Sequence, residues 1–300
     1  RTLLKELDRP ETPFALSDAI ILLPTKRAAR ALGQAFLDAR DGAATLLPRI
    51  RTLGDIDPDD AGLAELGKKV LLVDIDPQGN TSTGLGVRPE ARKRTSYDLI
   101  VDNISPLDVV IKTDILGVMI IPANADLASA DLDIASNEKR SYLLHDALRR
   151  PEMAGFGFDY ILIDCPPALS LLTVNALVAC DSVLVPLQCE FFALEGLSQL
   201  ILTIRDVRRS ANPALRIEGV VLTMYDKRNK LTAQVEADAR ANMGDLVLKT
   251  TIPRNVRISE APSHALSVLS YDSSSKGAIA YRQLAREIAD RRKTPEFSEA

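Results

Sequence analysis

Three carboxylates stand where a parallel sheet would put them to chemical use. The stretch Lys69-Val-Leu-Leu-Val-Asp-Ile-Asp-Pro-Gln-Gly-Asn80 closes an apolar run on Asp74 and Asp76, then turns. Tyr160-Ile-Leu-Ile-Asp-Cys-Pro-Pro167 closes a second apolar run on Asp164. A buried strand that delivers carboxylates to its C-terminal edge is how open α/β sheets build phosphate and metal sites. Strand side chains alternate, so Asp74 and Asp76 are expected on one face, with Asp76 nearer the edge and placed to orient an attacking water. Asp164 is expected to hold Mg²⁺ directly or through water. A plainer reading, a strand-end Asp capping the next helix, stands beside it. Gln78, Gly79 and Asn80 supply a polar turn able to change shape with a nucleotide, or simply a turn.

Such carboxylates need a partner. A phosphate loop requires glycines whose N–H groups cradle phosphates, a Lys for the β/γ charge and a Ser or Thr for Mg²⁺. One stretch comes near the spacing, Gly62-Leu-Ala-Glu-Leu-Gly-Lys-Lys69. It ends on Lys where a hydroxyl is required. Its pattern also puts a helix before it and a strand after, the reverse of what aims a helix N-terminus at a phosphate. Gly67 reads instead as a helix C-cap ending a stub at Ala61–Leu66. Leu22-Leu-Pro-Thr-Lys-Arg-Ala28 offers Thr25 and Lys26 between a strand and a helix, but no glycine.

From about residue 69 onward, short β-branched runs alternate with helical periods, the pattern of a parallel sheet with helices on both faces. Strands are expected at Val70–Ile75, Val118–Pro122, Tyr160–Asp164, Ser182–Leu187, Gly219–Met224 and Leu246–Ile252. Helices are expected at Ala128–Arg149, Leu171–Ala179, Ala193–Ser210, Thr232–Met243 and Ser275–Arg292. Right-handed crossovers would bring all strand C-termini to one edge. Gly219–Asp226 and Thr251–Pro262 end on that edge, as walls of a base pocket or as ordinary loops. Earlier in the chain, Ala19–Pro24 reads as a strand, Lys26–Ala39 as a helix, and the Pro- and Asp-rich stretch Asp55–Asp60 as a loop.

Composition narrows the classes. A net charge of −4 gives no global pull toward nucleic acid or anionic membrane, so any basic surface must be local. Arg205, Arg208 and Arg209 on one helix are such a patch, either a solvated face or a phosphate-backbone contact. Three cysteines at spacings that fit no zinc motif read as buried reduced thiols of a cytoplasmic protein. Two histidines cannot build a His-rich metal site. No apolar run approaches the roughly 20 residues of a membrane span. The chain opens on Arg1 rather than Met, as a fragment or processed chain would.

Taken together, Val70–Gly86, Asp159–Pro167, Val183–Gly196, Val221–Asp226, Ile252–Ser263 and Tyr271–Tyr281 resemble the ParA/Soj family of partitioning ATPases, in the deviant Walker A class that includes MinD. The resemblance runs from about residue 61 to 292. It implies a P-loop NTPase fold and an ATP- and Mg²⁺-dependent homodimer that binds DNA non-specifically and is stimulated by a ParB-type protein. On that analogy Asp76 is catalytic, Asp164 serves the metal, and Asp226, Pro253 and Asn255 lie against the adenine. Nucleoid association follows from the same analogy, whereas Arg205, Arg208 and Arg209 match no family motif.

The departure lies upstream. In the family a strand and a Lys-Gly-Gly-Val-Gly-Lys-Thr-Thr loop precede the helix whose end is seen at Ala61–Leu66, and that opening unit is absent. Residues 1–60 resemble instead the N-terminus of AddB, a helicase–nuclease subunit. The expected organisation is therefore an AddB-like segment at 1–60, a ParA-like domain at 61–292 without its first strand and phosphate loop, and a disordered tail at 293–300. Two readings follow: a partitioning ATPase by descent with ATP binding and hydrolysis impaired, or a non-enzymatic remnant that still binds a partner protein or DNA.

Overall fold

The computed structural model describes residues 20–23, 49–52, 63–190 and 193–291. The chain divides into two compact units, Arg1–Asp57 and Pro58–Ala300. In the first, β1 (Ile20–Leu23) and β2 (Arg49–Thr52) pair in parallel with Ile20 opposite Arg49. The expected helix Lys26–Ala39, the Thr25-Lys26 turn, the loop at Asp55–Asp60 and the tail at 293–300 lie outside the described residues.

The second unit is the parallel α/β fold that its apolar strands require. β3 (Val70–Asp74) lies between β5 (Val118–Ile121) and β6 (Tyr160–Asp164), parallel to both. The two-residue β4 (Ile111–Lys112) adds an antiparallel edge to β5. A second sheet holds β7 (Ser182–Gln188), β8 (Arg216–Tyr225) and β9 (Val247–Pro253), again parallel. Among the described residues the expected strands pair as these two groups, parallel apart from the short β4 edge. Among the described residues no strand pairs with the outer edge of β6 or of β7.

Helices cover both faces. Leu71 and Val73 pack with Leu172 and Ala176 of α7 (Leu171–Ala179), whereas Val70, on the opposite face, meets Ala285 and Ala289 of α12 (Lys276–Arg291). In the second sheet Val220 and Leu222 share a core with Leu197 of α8 (Ala193–Ser210), and Val221 faces Leu284 of α12. α9 (Lys230–Met243) packs Val235 and Ala239 on the α8 side.

One long expected helix is corrected. Ala128–Arg149 is broken into α4 (Ala130–Asp133) and α5 (Leu143–Leu148). The cause is Asn137, whose side-chain oxygen accepts from Lys139 N at 2.8 Å and makes a turn that competes with the helix ladder. Other short helices carry too few residues to show a period: α1 (Asn80–Gly84), α2 (Ser96–Ile100), α3 (Pro106–Val109), α6 (Pro151–Ala154), α10 (Val256–Glu260) and α11 (Val268–Tyr271).

Candidate phosphate and metal site

β3 and β6 bring Asp74 and Asp164 side by side, in register. The ladder runs one step further, with Ile75 N donating to the Asp164 carbonyl at 2.9 Å. Asp76 lies beyond the strand, so the expected shared face does not extend to it: β3 ends at Asp74. The Asp76 carboxylate accepts from Gln78 N at 2.9 Å and its carbonyl from Gly79 N at 2.9 Å, which makes a tight turn. Gly79 sits at φ 62°, and a Cβ there would crowd the Arg92 guanidinium and the Ala123 carbonyl. Only glycine fits both conditions.

That turn feeds α1, whose first residues supply hydroxyls to the two strand-end carboxylates. Thr81 Oγ1 donates to Asp164 Oδ2 at 2.6 Å. Ser82 Oγ donates to Asp74 Oδ2 at 2.6 Å, and Ser82 N donates to the same oxygen at 2.9 Å. The Ser82 oxygen in turn accepts from Ala123 N at 3.0 Å. Arg92 holds the turn from outside: its guanidinium donates to the Val87 and Ala123 carbonyls and to Thr83 Oγ1. Thr81, Ser82 and Arg92 were not singled out from the sequence. Hydroxyls at the head of a helix after an acidic strand end were a legible signal, but nothing local marks Arg92.

Asp74 is wholly buried, and burial pushes its pKa up against the pull of the Ser82 hydroxyl and the Ser82 and Asp76 amides. A raised folded pKa means that the native state binds more protons than the unfolded chain across the window above the ordinary Asp value. Asp74 therefore lowers stability as pH rises through that window. Asp74→Asn removes the titration. Urea unfolding from about pH 3.5 to 7 is expected to show the variant gaining on the parent as pH rises, by about 1.4 kcal/mol for every factor of ten by which folding tightens proton binding at Asp74.

The other expected residues gather on the second sheet. Tyr225 pairs in register with Pro253, and Arg254 N donates to the Tyr225 carbonyl at 3.1 Å, so the loops carrying Asp226 and Asn255 leave adjacent strand ends. Asp226 is already engaged by Arg228, through its guanidinium and its backbone N, which holds the carboxyl below the usual range. Asn255 caps α10 by accepting from Arg257 N at 2.8 Å. Among the described residues no hydrogen bond or ion pair joins this group to Asp76 or Asp164. Arg205, Arg208 and Arg209 are exposed on α8 and pair with no acid among the described residues. Burial pushes the Cys165 thiol up to about 12, which makes it a packing group rather than a nucleophile.

Asp164 with Thr81 suits a hydrated cation as a single carboxylate ligand. Among the described residues no three His, Cys, Asp or Glu side chains converge on a metal. Gly-Lys occurs once in the sequence, at Gly67-Lys68. Gly67 is at φ 72° and caps the 3-10 turn Ala64–Leu66, its N–H spent on the Ala64 carbonyl at 2.8 Å. Lys68 pairs with Asp159 at 3.1 Å, at the N-terminal end of β6 and so at the opposite end of the strand from Asp164.

The AAA domain family model matches residues 60–217. The chromosome partitioning protein ParA of Caulobacter vibrioides is 53% identical over 229 residues, covering 76% of this chain and 85% of that protein. The chain belongs to the ParA/Soj family of chromosome-partitioning ATPases. Soj of Bacillus subtilis, a sporulation initiation inhibitor protein, is 48% identical over 76% of the chain and 89% of its own length. A Mycobacterium smegmatis structure described as cobyrinic acid a,c-diamide synthase, with bound ATP analogue and magnesium, superposes with TM-score 0.68 at 36% identity, covering 80% of this chain and 89% of that one. The cell division ATPase MinD of Pyrococcus furiosus matches at TM-score 0.63 and 23% identity, covering 91% and 99%, a likeness of fold. Among the described residues no helix is long and apolar enough to cross a membrane.

Proposed function

We propose that this member of the ParA/Soj family is a partitioning ATPase by descent whose nucleotide step is impaired. One observation carries the reading: the carboxylate half of the site is in place, while the chain's single Gly-Lys pair is consumed in a helix cap and an ion pair at the far end of the strand. In an intact relative Asp76 would orient the attacking water, Asp164 would serve Mg²⁺, and Asp226, Pro253 and Asn255 would face the adenine. The homodimer, which depends on bound ATP, fails with it. Residues 1–60 then descend from an AddB-like reading frame joined upstream of the ParA-like domain, and amplifying the locus across codons 50–70 tests that join. The deciding experiment on activity is calorimetric titration with ATP and Mg²⁺. Micromolar, Mg²⁺-dependent binding that Asp164→Ala abolishes would overturn the reading.

A remnant without ATPase activity still has surfaces, and Arg205, Arg208 and Arg209, which pair with no acid among the described residues, favour a DNA contact in the cytoplasm, at the nucleoid, or alongside a ParB-type protein. Each arginine that touches a phosphate adds about one to the slope of log affinity against log salt. Replacing all three by Ala is expected to flatten that slope by about three for non-sequence-specific duplex DNA, read by fluorescence anisotropy. An unchanged slope would assign them to a solvated face.

A further inference from the structure

Among the described residues three other than glycine hold a positive φ: Asn103, Met224 and Ala265. Asn tolerates the left-handed region, whereas Met and Ala are strained there. Such strain persists only where the surroundings over-determine it, and it gathers at functional sites. Met224 lies two residues before Asp226, and Ala265, at φ 54°, lies in the segment that follows Asn255. That segment is tied into an arch. Arg257 pairs with Glu260 at 2.8 Å and with Asp272 at 3.3 Å. The Tyr271 hydroxyl donates to Glu260 at 3.4 Å, and the His264 and Tyr271 rings stack with centroids 4.8 Å apart. Beneath them Ala261, Val268 and Leu269 are buried with Ala278 of α12. The arch reaches the helix that carries Thr81: the Ala265 carbonyl faces Gly86, where a Cβ would meet it at 3.7 Å.

Gly86 closes α1. It sits at φ 78°, and its N–H donates to the Thr83 carbonyl at 3.0 Å. α1 is thus a five-residue helix between two left-handed glycines, Gly79 and Gly86. So short a helix is held by what packs on it and not by its own ladder. Arg92 clasps both ends, through the Gly79 and Val87 carbonyls. We propose that the Ala265 carbonyl braces the Gly86 end as well, so that the arch after Asn255 is a positioning element for Asp76 and Thr81. The strain at Ala265 then has a purpose: a relaxed backbone there carries the carbonyl away from Gly86 and frees α1 to rotate about Gly79. That rotation stretches the Thr81–Asp164 bond and turns the Asp76 carboxylate, whose bond to Gln78 N fixes its aim. Packing, rather than a hydrogen bond or ion pair, couples the two groups of expected site residues. The inference rests on the reading of Asp76 and Asp164 as site residues and is independent of whether ATP binds.

The test reads amide hydrogen exchange by NMR on the whole chain, without nucleotide. Ala265→Gly takes the left-handed conformation freely, Ala265→Val resists it, and Arg257→Gln loosens the arch at its surface. Exchange at the Gly79, Ser82 and Thr83 amides is expected to quicken about tenfold in Ala265→Val and about threefold in Arg257→Gln. Ala265→Gly is expected to keep the parent's rates. The Leu71 and Val73 amides of β3 are expected to stay at the parent's rates in all three. Coupling is reciprocal, so Arg92→Lys, which loosens the clasp, is expected to quicken exchange at Ala265 and Leu266. Unchanged exchange at Gly79, Ser82 and Thr83 in both Ala265→Val and Arg257→Gln would overturn the brace. Acceleration that spreads equally to Leu71 and Val73 would overturn it too, because Ala265 would then serve overall stability alone. If Ala265→Val does not fold, Arg257→Gln and the reciprocal Arg92→Lys measurement decide. A separate titration showing that the chain binds ATP would defeat the impaired-nucleotide reading and leave the exchange result to judge the brace.

Discussion

Titrated with ATP and Mg²⁺ at micromolar concentrations, the chain is expected to show no saturable binding, and its affinity to lie more than about 10³-fold below that of a member with an intact loop. The magnitude follows from what is missing. A phosphate cradle contributes several backbone N–H groups and a lysine, and each hydrogen bond to a charged group is worth about 1.5–3 kcal/mol. Losing three such bonds removes about 4.5–9 kcal/mol, and each 1.4 kcal/mol is about tenfold in affinity. Gly67 cannot substitute, because its N–H is already bonded to the Ala64 carbonyl. The converse is the sharper measurement. A β-branched strand and the Lys-Gly-Gly-Val-Gly-Lys-Thr-Thr loop, inserted ahead of Leu63, are expected to restore binding in the micromolar range. In that repaired chain Asp164→Ala is expected to remove the Mg²⁺ dependence, while Asp76→Asn slows hydrolysis and leaves binding in place. Failure of the insertion to restore binding would show that more than the loop has been lost.

How far the sequence could be read follows from the kind of signal each element carries. Tyr160–Asp164, Leu171–Ala179 and Ala193–Ser210 are found at the expected bounds, because a parallel strand is a continuous apolar run and a long helix shows its period. Helices of four or five residues show none, which hides α1, α2 and α10. Ala128–Arg149 misleads for the opposite reason: its apolar spacing is helical, and one side-chain-to-backbone bond at Asn137 breaks it. At the site the neighbouring placement of Asp74 and Asp164 is legible, since each closes an apolar strand run. Their partners are not, because Ser82 reaches Asp74 only through the fold of the Gly79 turn. Arg92 reaches Ala123 across 31 residues of chain. The division of the sheet is likewise invisible to local pattern, since it depends on what does not pair with β6 and β7.

Ser82→Ala is expected to be the most damaging single-atom change in the described core, at about 2–6 kcal/mol. Ser82 is wholly buried, and its oxygen serves two partners at once: it donates to the buried Asp74 carboxylate and accepts from Ala123 N. Removing it leaves an ionised group with one donor fewer and a main-chain N–H with no acceptor, each costing about 1–3 kcal/mol when buried. The loss carries a pH signature. With its strongest donor gone, Asp74 is pushed further toward the protonated form, so the penalty shrinks as pH falls through the raised folded pKa and is largest at neutral pH. Asp74→Asn in the same background is expected to recover the part that comes from the charge and none of the part that comes from Ala123. A double-mutant cycle by urea denaturation, read at pH 4 and pH 7, separates the two. A coupling energy of zero at pH 7 would mean that the Ser82–Asp74 bond does not secure the turn that carries Asp76, and that α1 is held by Arg92 and by the Thr81–Asp164 bond.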